Sequence, residues 1–224
     1  MLDYLIPLGG YLLGSLSSAV IVARLMGLRD PREVGSKNPG ATNILRYGGK
    51  KAAIATLAGD MLKGVFAVWI ARLLATDPTI IGATMVFVFL GHLYPIFFGF
   101  KGGKGVATAL GAFLGLELWL GLSVVATWLV MAFITRYSSL SALVATAAAP
   151  FYTWYFLEDW RYVAAVIVIA VILYWRHRSN IKNLLTGKEN KIGYKPDAPD
   201  VAEAVAGPGK KSPDISETLS ASDD

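Results

Sequence analysis

Long apolar runs separated by short polar stretches dominate the first 190 residues. A bilayer core of about 30 Å needs roughly 20 apolar residues per helix. On that measure seven segments are candidate spans: Tyr4–Met26, Ala52–Ala75, Thr79–Phe98, Val106–Leu116, Leu118–Thr135, Leu140–Leu157 and Tyr162–Trp175. The fourth is short and is divided from the fifth only at Glu117. Six spans, with one long or re-entrant segment there, is the alternative. The pattern predicts an all-α, polytopic membrane protein of about seven transmembrane helices.

The polar stretches are unequal in charge. Arg29, Arg32, Lys37, Arg46, Lys50 and Lys51 follow the first span, and Lys101 and Lys104 the third. Arg136 follows the fifth span, and Arg176, Arg178, Lys182 and Lys188 the seventh. The intervening loops carry Asp77, Glu117, Glu158 and Asp159, with Arg161 nearby. Basic loops stay in the cytoplasm. The N-terminus is therefore expected outside and the C-terminus in the cytoplasm. The start lacks the basic stretch and cleavage site of a signal peptide, with Asp3 where a lysine would be expected, so the first helix is read as retained. From about Gly193 the chain turns polar, rich in Pro, Ser, Ala and acids. The expected division is a membrane domain over 1–192 and a disordered cytoplasmic tail over 193–224.

Composition agrees. Of 224 residues, 54% are hydrophobic and 17% charged, and the mean hydropathy is +0.51. The net charge of +5 lies in membrane flanks, which argues against nucleic acid. Cysteine is absent, excluding disulfides and thiol catalysis. With two histidines and no cysteine, no metal-site spacing occurs, so no metal and no cofactor is expected.

Three polar segments fall at the same expected face. In "FKGGKG", Gly102, Gly103 and Gly105 remove side-chain bulk and widen backbone freedom. The helix expected from Val106 offers its N-terminus to an anion, and Lys101 and Lys104 add positive charge. This reads as a phosphate cradle. It is not a nucleotide P-loop, because Phe98 stands where that motif needs its first glycine. A tight positive-inside turn is the plain alternative. "GSKNPGATNILR" carries Ser36, Asn38, Thr42, Asn43 and the planar fork of Arg46, or is simply a polar turn. In "RHRSNIKNLLTGKEN", His177 and Asn180 share a face if the last helix continues, whereas the arginines read as a membrane-exit anchor. Within the spans, Asp60 and Lys63 lie one turn apart, consistent with a structural ion pair. His92 precedes Pro95, as a buried histidine, a ligand or a base.

Taken in order, "GSKNPGATN" with Arg46, "GHLYPIFFGFKGGKGVAT" and "RHRSNIKNLLTGKE" resemble the PlsY family of bacterial acyl-phosphate:glycerol-3-phosphate acyltransferases. "GDMLKG" and "GSLSSA" add to the resemblance, which reaches to about Gly193. It implies a seven-helix protein of the bacterial cytoplasmic (inner) membrane with its site on the cytoplasmic face. It implies acyl transfer from acyl phosphate to the sn-1 hydroxyl of glycerol 3-phosphate, giving lysophosphatidic acid and inorganic phosphate, the first step of phospholipid synthesis. The substrates and membrane lipid are the expected partners, with no obligate protein partner. By position, Ser36, Arg46, Lys104, His177 and Asn180 are expected in the functional centre. Lys101, Gly102, Gly103 and Gly105 are expected at the phosphate, and Glu189 in a structural place. Asn38, Asn43, Asp60, Lys63 and His92 are polar candidates of open role. Ser17 stands where many members have proline. The His-x4-Asp dyad of the other membrane acyltransferase class is absent, since that frame ends at Phe97 and Lys182. A transporter of phosphorylated solutes is the rival, but it should show midplane sites and repeats. A pure scaffold leaves three polar motifs on one face unexplained.

Overall fold

The computed structural model describes residues 2–194. Among them only helices occur: α1 (Leu2–Gly14), α2 (Ser18–Leu25), α3 (Ala41–Tyr47), α4 (Gly49–Leu74), α5 (Pro78–Leu93), α6 (Val106–Leu116), α7 (Leu118–Thr135), α8 (Ser138–Leu157), α9 (Trp160–Arg176) and α10 (Arg178–Leu185). The tail from 195 onward lies outside the described residues; Gly193 and Tyr194 lie inside them.

Among the described residues, five helical units have the length and apolarity to cross a membrane: Asp3–Leu25, α4, Pro78–Phe98, α7 and α8. A sixth joins α9 to α10 across a 59° bend. The fourth expected span, α6, is apolar but has 11 residues, about 16 Å of helix. It starts late because the glycine segment before it runs back along the end of α5. Gly102 packs against the His92 and Leu93 carbonyls, and Gly105 against the Phe89 ring. The helix begins inside the bundle rather than above it.

Small residues set the closest packing. A Cβ on Gly14 would collide with the Val88 carbonyl, and one on Gly91 with the Tyr11 carbonyl, so α1 and α5 touch through backbone. Gly64, Gly111 and Gly115 do the same for α4 against α6. The core they close includes Met85, Phe89, Phe113, Leu120, Ile169 and Leu173. Leu129, Phe133, Ile134, Phe151 and Val171 stay exposed on the outside, as a lipid-facing surface requires. A second small core of Ala19, Ala23, Val34, Ile44 and Tyr47 supports the first polar segment from below. The first span is interrupted at Ser15–Ser17, which frees the Leu16 carbonyl to accept from Lys63 Nζ at 2.8 Å.

Candidate active site

The three polar segments meet at one end of the bundle. The glycine segment is their centre. Phe100 (φ 60°) and Gly105 (φ 86°) turn the chain in the left-handed region, and Gly105 leads directly into α6. Gly102 and Gly103 serve differently: they are absences of bulk. A Cβ on Gly103 would collide with His92 Nε2 and lie 3.0 Å from the Pro39 carbonyl of the first segment. The Gly103 amide is also committed, donating to the His92 carbonyl at 3.2 Å. Among the described residues, the amides of Lys104, Gly105 and Val106 meet no backbone acceptor. They lie at the positive end of α6.

Arg176 clamps this segment from the opposite side. One terminal nitrogen donates to the carbonyls of Gly102 (3.2 Å) and Gly103 (2.9 Å), and the guanidinium sits 5.6 Å over the Tyr94 ring. The sequence reading placed Arg176 in a membrane anchor. Its adjacency to His177 was the available signal of an inward role.

Lys104 is half-buried, and its Nζ donates to Asn180 Oδ1 at 2.5 Å. Asn180 is held in turn: its Nδ2 donates to Glu189 Oε1 at 2.7 Å, which also accepts from Ser139 Oγ at 2.6 Å. Glu189 and Ser139 orient the amide that meets the lysine. Burial pushes the Lys104 pKa down; Arg176 and Arg46 push the same way, against the attraction of Glu189. Three cations thus share one recess with one carboxylate, itself engaged by neutral donors. Such a recess favours a multiply charged anion.

His177 is 3% exposed at the break between α9 and α10. Its Nδ1 lies 2.9 Å from the Leu173 carbonyl, which can only accept, so the proton is on Nδ1 and the lone pair on Nε2. Burial, reinforced by Lys104 and Arg176, pushes its pKa down to about 4. The ring is neutral at pH 7 and a weak base.

The first segment is braced from within. Asn43 is 1% exposed, and its amide donates to the Pro31 (3.0 Å) and Val34 (3.1 Å) carbonyls. Its Oδ1 accepts the Ser36 amide at 2.9 Å. Asn43 therefore shapes the loop and presents Ser36, with no polar atom left for a ligand. Ser36 is exposed at the rim, as is Lys101. Asn38 is half-buried beside Gly40, and Arg46 lies half-buried on α3. Arg32 ties the segment to the loop after α5, donating to the Phe98 carbonyl at 2.9 Å.

Asp60, Lys63 and His92 stand apart from the recess, inside the bundle. The expected ion pair is made, with Lys63 Nζ 2.9 Å from Asp60 Oδ1, and His92 Nδ1 joins it 2.9 Å from Lys63 Nζ. Among the described residues no three His, Cys, Asp or Glu side chains form a metal-ligand group.

The glycerol-3-phosphate acyltransferase family model matches residues 4–187. The glycerol-3-phosphate acyltransferase of Thioalkalivibrio sulfidiphilus is 55% identical over 188 residues, covering 84% of this chain and 93% of that protein. The one from Methylococcus capsulatus is 53% identical, covering 85% and 96%. The crystal structure of PlsY (YgiH), an integral membrane glycerol 3-phosphate acyltransferase, in its glycerol 3-phosphate form superposes with a TM-score of 0.82 at 38% identity, covering 86% of this chain and 96% of that one. Its lysophosphatidic acid form superposes at 0.80. A helical bundle of this architecture, with its polar motifs gathered at one end and a match running through all three of them, belongs to the glycerol-3-phosphate acyltransferase family and is an integral membrane acyltransferase of the PlsY type.

Proposed function

We propose that the chain acylates the sn-1 hydroxyl of glycerol 3-phosphate with acyl phosphate as donor, on the cytoplasmic face of a bacterial inner membrane that it crosses seven times with its N-terminus outside. The hydroxyl oxygen attacks the acyl carbonyl carbon and the carbon–oxygen bond to phosphate breaks. Lysophosphatidic acid and inorganic phosphate leave. Relatives named for glycerol 3-phosphate, and solved PlsY forms named for it and for lysophosphatidic acid, support the acceptor and product. The observation that carries the reading is the recess itself: the Lys104 ammonium beside Arg46 and Arg176, at the open amides that begin α6.

Acyl phosphate is already activated, so the site has chiefly to position it and neutralise charge. Lys104, Arg46 and the amides of Lys104, Gly105 and Val106 hold phosphate, with Lys101 at the rim drawing the anions in. Asn180 and Ser36 orient the acceptor and the reacting carbonyl. The hydroxyl proton goes to the departing phosphate. His177 is too weakly basic for that step, and its neutral Nε2 serves better as an acceptor for a glycerol hydroxyl. The acyl chain lies between helices, reached from the inner leaflet.

Release of inorganic phosphate by the purified protein tests the reading. It should require acyl phosphate and glycerol 3-phosphate together, and acyl-coenzyme A should not replace acyl phosphate. Equal formation of lysophosphatidic acid from acyl-coenzyme A, a transfer that would release the coenzyme thiol and no phosphate, would overturn the donor assignment.

A further inference from the structure

Three ionisable side chains lie almost wholly inside the bundle: Asp60 is 2% exposed, Lys63 5% and His92 8%. Burying charges is a poor source of stability, since well-packed apolar residues do as well or better. What the cluster does is join parts. The Lys63 ammonium has three donors and three neighbours: the Leu16 carbonyl at the break between α1 and α2 (2.8 Å), Asp60 on its own helix (2.9 Å) and His92 Nδ1 on α5 (2.9 Å). Nδ1 must then accept, which leaves the ring proton on Nε2. That edge of the ring lies against Gly103, and the His92 carbonyl accepts the Gly103 amide at 3.2 Å.

We propose that Lys63, with Asp60 as its counter-charge, is a positioning residue: it fixes the tautomer and orientation of His92, on which Gly103 rests, and so sets where Lys104 and the start of α6 stand. The inference uses the phosphate reading above only for what the positioned loop does. The loop's order is a separate observable.

The absence of native cysteine allows a single spin label at Lys101→Cys. The variant to compare is Asp60→Asn/Lys63→Met, which leaves no unpaired buried charge. Its label should show a more mobile line shape. Without the label, the same variant should raise KM for the phosphorylated substrates by about tenfold, the scale of one lost hydrogen bond, and lower kcat less. Arg72→Met is the structural control. It removes a charge and its bond to the Gly115 carbonyl (3.1 Å) at the far end of the same helix, and should leave label and KM unchanged. His92→Asn keeps an acceptor for Lys63 where Nδ1 stands but removes the ring edge against Gly103, so it and His92→Leu should both loosen the label as the double variant does. A wild-type line shape with wild-type KM in the folded double variant overturns the proposal. A loosened label with unchanged KM keeps the positioning unit and overturns the phosphate cradle. Should the double variant fail to insert, a wild-type line shape with wild-type KM in folded His92→Leu overturns it.

Discussion

Replacing Lys104 with methionine separates what the residue does for chemistry from what it does for the fold. The substitution keeps most of the stem and removes the ammonium. In the wild type that ammonium meets Asn180 Oδ1, while Asn180 is independently fixed by Glu189 at 2.7 Å, and Glu189 by Ser139 at 2.6 Å. The lock survives without the lysine. One lost hydrogen bond is worth about 1 kcal/mol. Against it stands the relief of a charge that burial and two neighbouring arginines disfavour. The two nearly cancel, or the variant gains. The sign is visible in pH: with its pKa lowered in the fold, Lys104 binds fewer protons there than in the unfolded chain. Wild-type stability should therefore rise with alkaline pH between the folded and unfolded values, and Lys104→Met should lack that rise. Turnover should fall by about 100-fold or more, as for loss of a preorganised charge donor. Phosphate release at saturating substrates and thermal unfolding in detergent measure the two effects. Wild-type turnover in a folded variant would remove Lys104 from the substrate. A large drop in melting temperature would make it a strut, and either result refutes the reasoning.

Gly103→Ala should lose about 1–3 kcal/mol of stability, because the methyl drives into the His92 ring and the Pro39 carbonyl, and thermal unfolding checks it. An unchanged melting temperature with only a raised KM would mean that the glycine instead makes room for the anion. His177, with a folded pKa of about 4 against about 6.5 unfolded, predicts no acid limb in the rate profile near 6.5. Stability should fall as pH drops through that window, because the unfolded chain takes up a proton the native ring refuses, and His177→Gln should flatten the fall. A limb near 6.5 that His177→Gln abolishes would make the ring the base. Cysteines placed at Ser36 or Ser179 should resist impermeant thiol reagents in intact cells, and cysteines at Asp77 or Asp159 should react. Labelling of all four from outside would sink the seven-pass arrangement.

The helices were legible because lipid demands apolar length. The runs at Val106–Leu116 and Leu118–Thr135 are the helices α6 and α7 without adjustment. The interruption at Ser15–Ser17 was not legible, since a leucine among serines barely lowers the hydropathy of a 23-residue run. Nor was the fold-back of the glycine segment along α5, although the start of α6 at Val106 was. Inside the bundle, the pair Asp60–Lys63 could be read from helical spacing, but His92 joins it from 29 positions along the chain, beyond any local pattern. Arg176 carried the composition of an anchor and points inward. Asn43 carried that of a ligand and spends its amide on its own loop. Which way a polar side chain turns at a membrane surface depends on acceptors that only the folded chain supplies.

Gly103 is touched by parts of all three motifs: the Pro39 carbonyl and the His92 ring crowd the place of its missing Cβ, and Arg176 holds its carbonyl. Recombination between distant relatives should therefore be intolerant of exchanging one of these stretches alone. A foreign first loop would bring its carbonyl to a new height above an unchanged ring, and the loop between them would have nowhere to go. Productive chimeras should inherit the stretches around Pro39, His92, Gly103 and Arg176 from a single parent, while crossover points in α7 and α8 stay permissive. Shuffled libraries selected for growth would display that linkage directly.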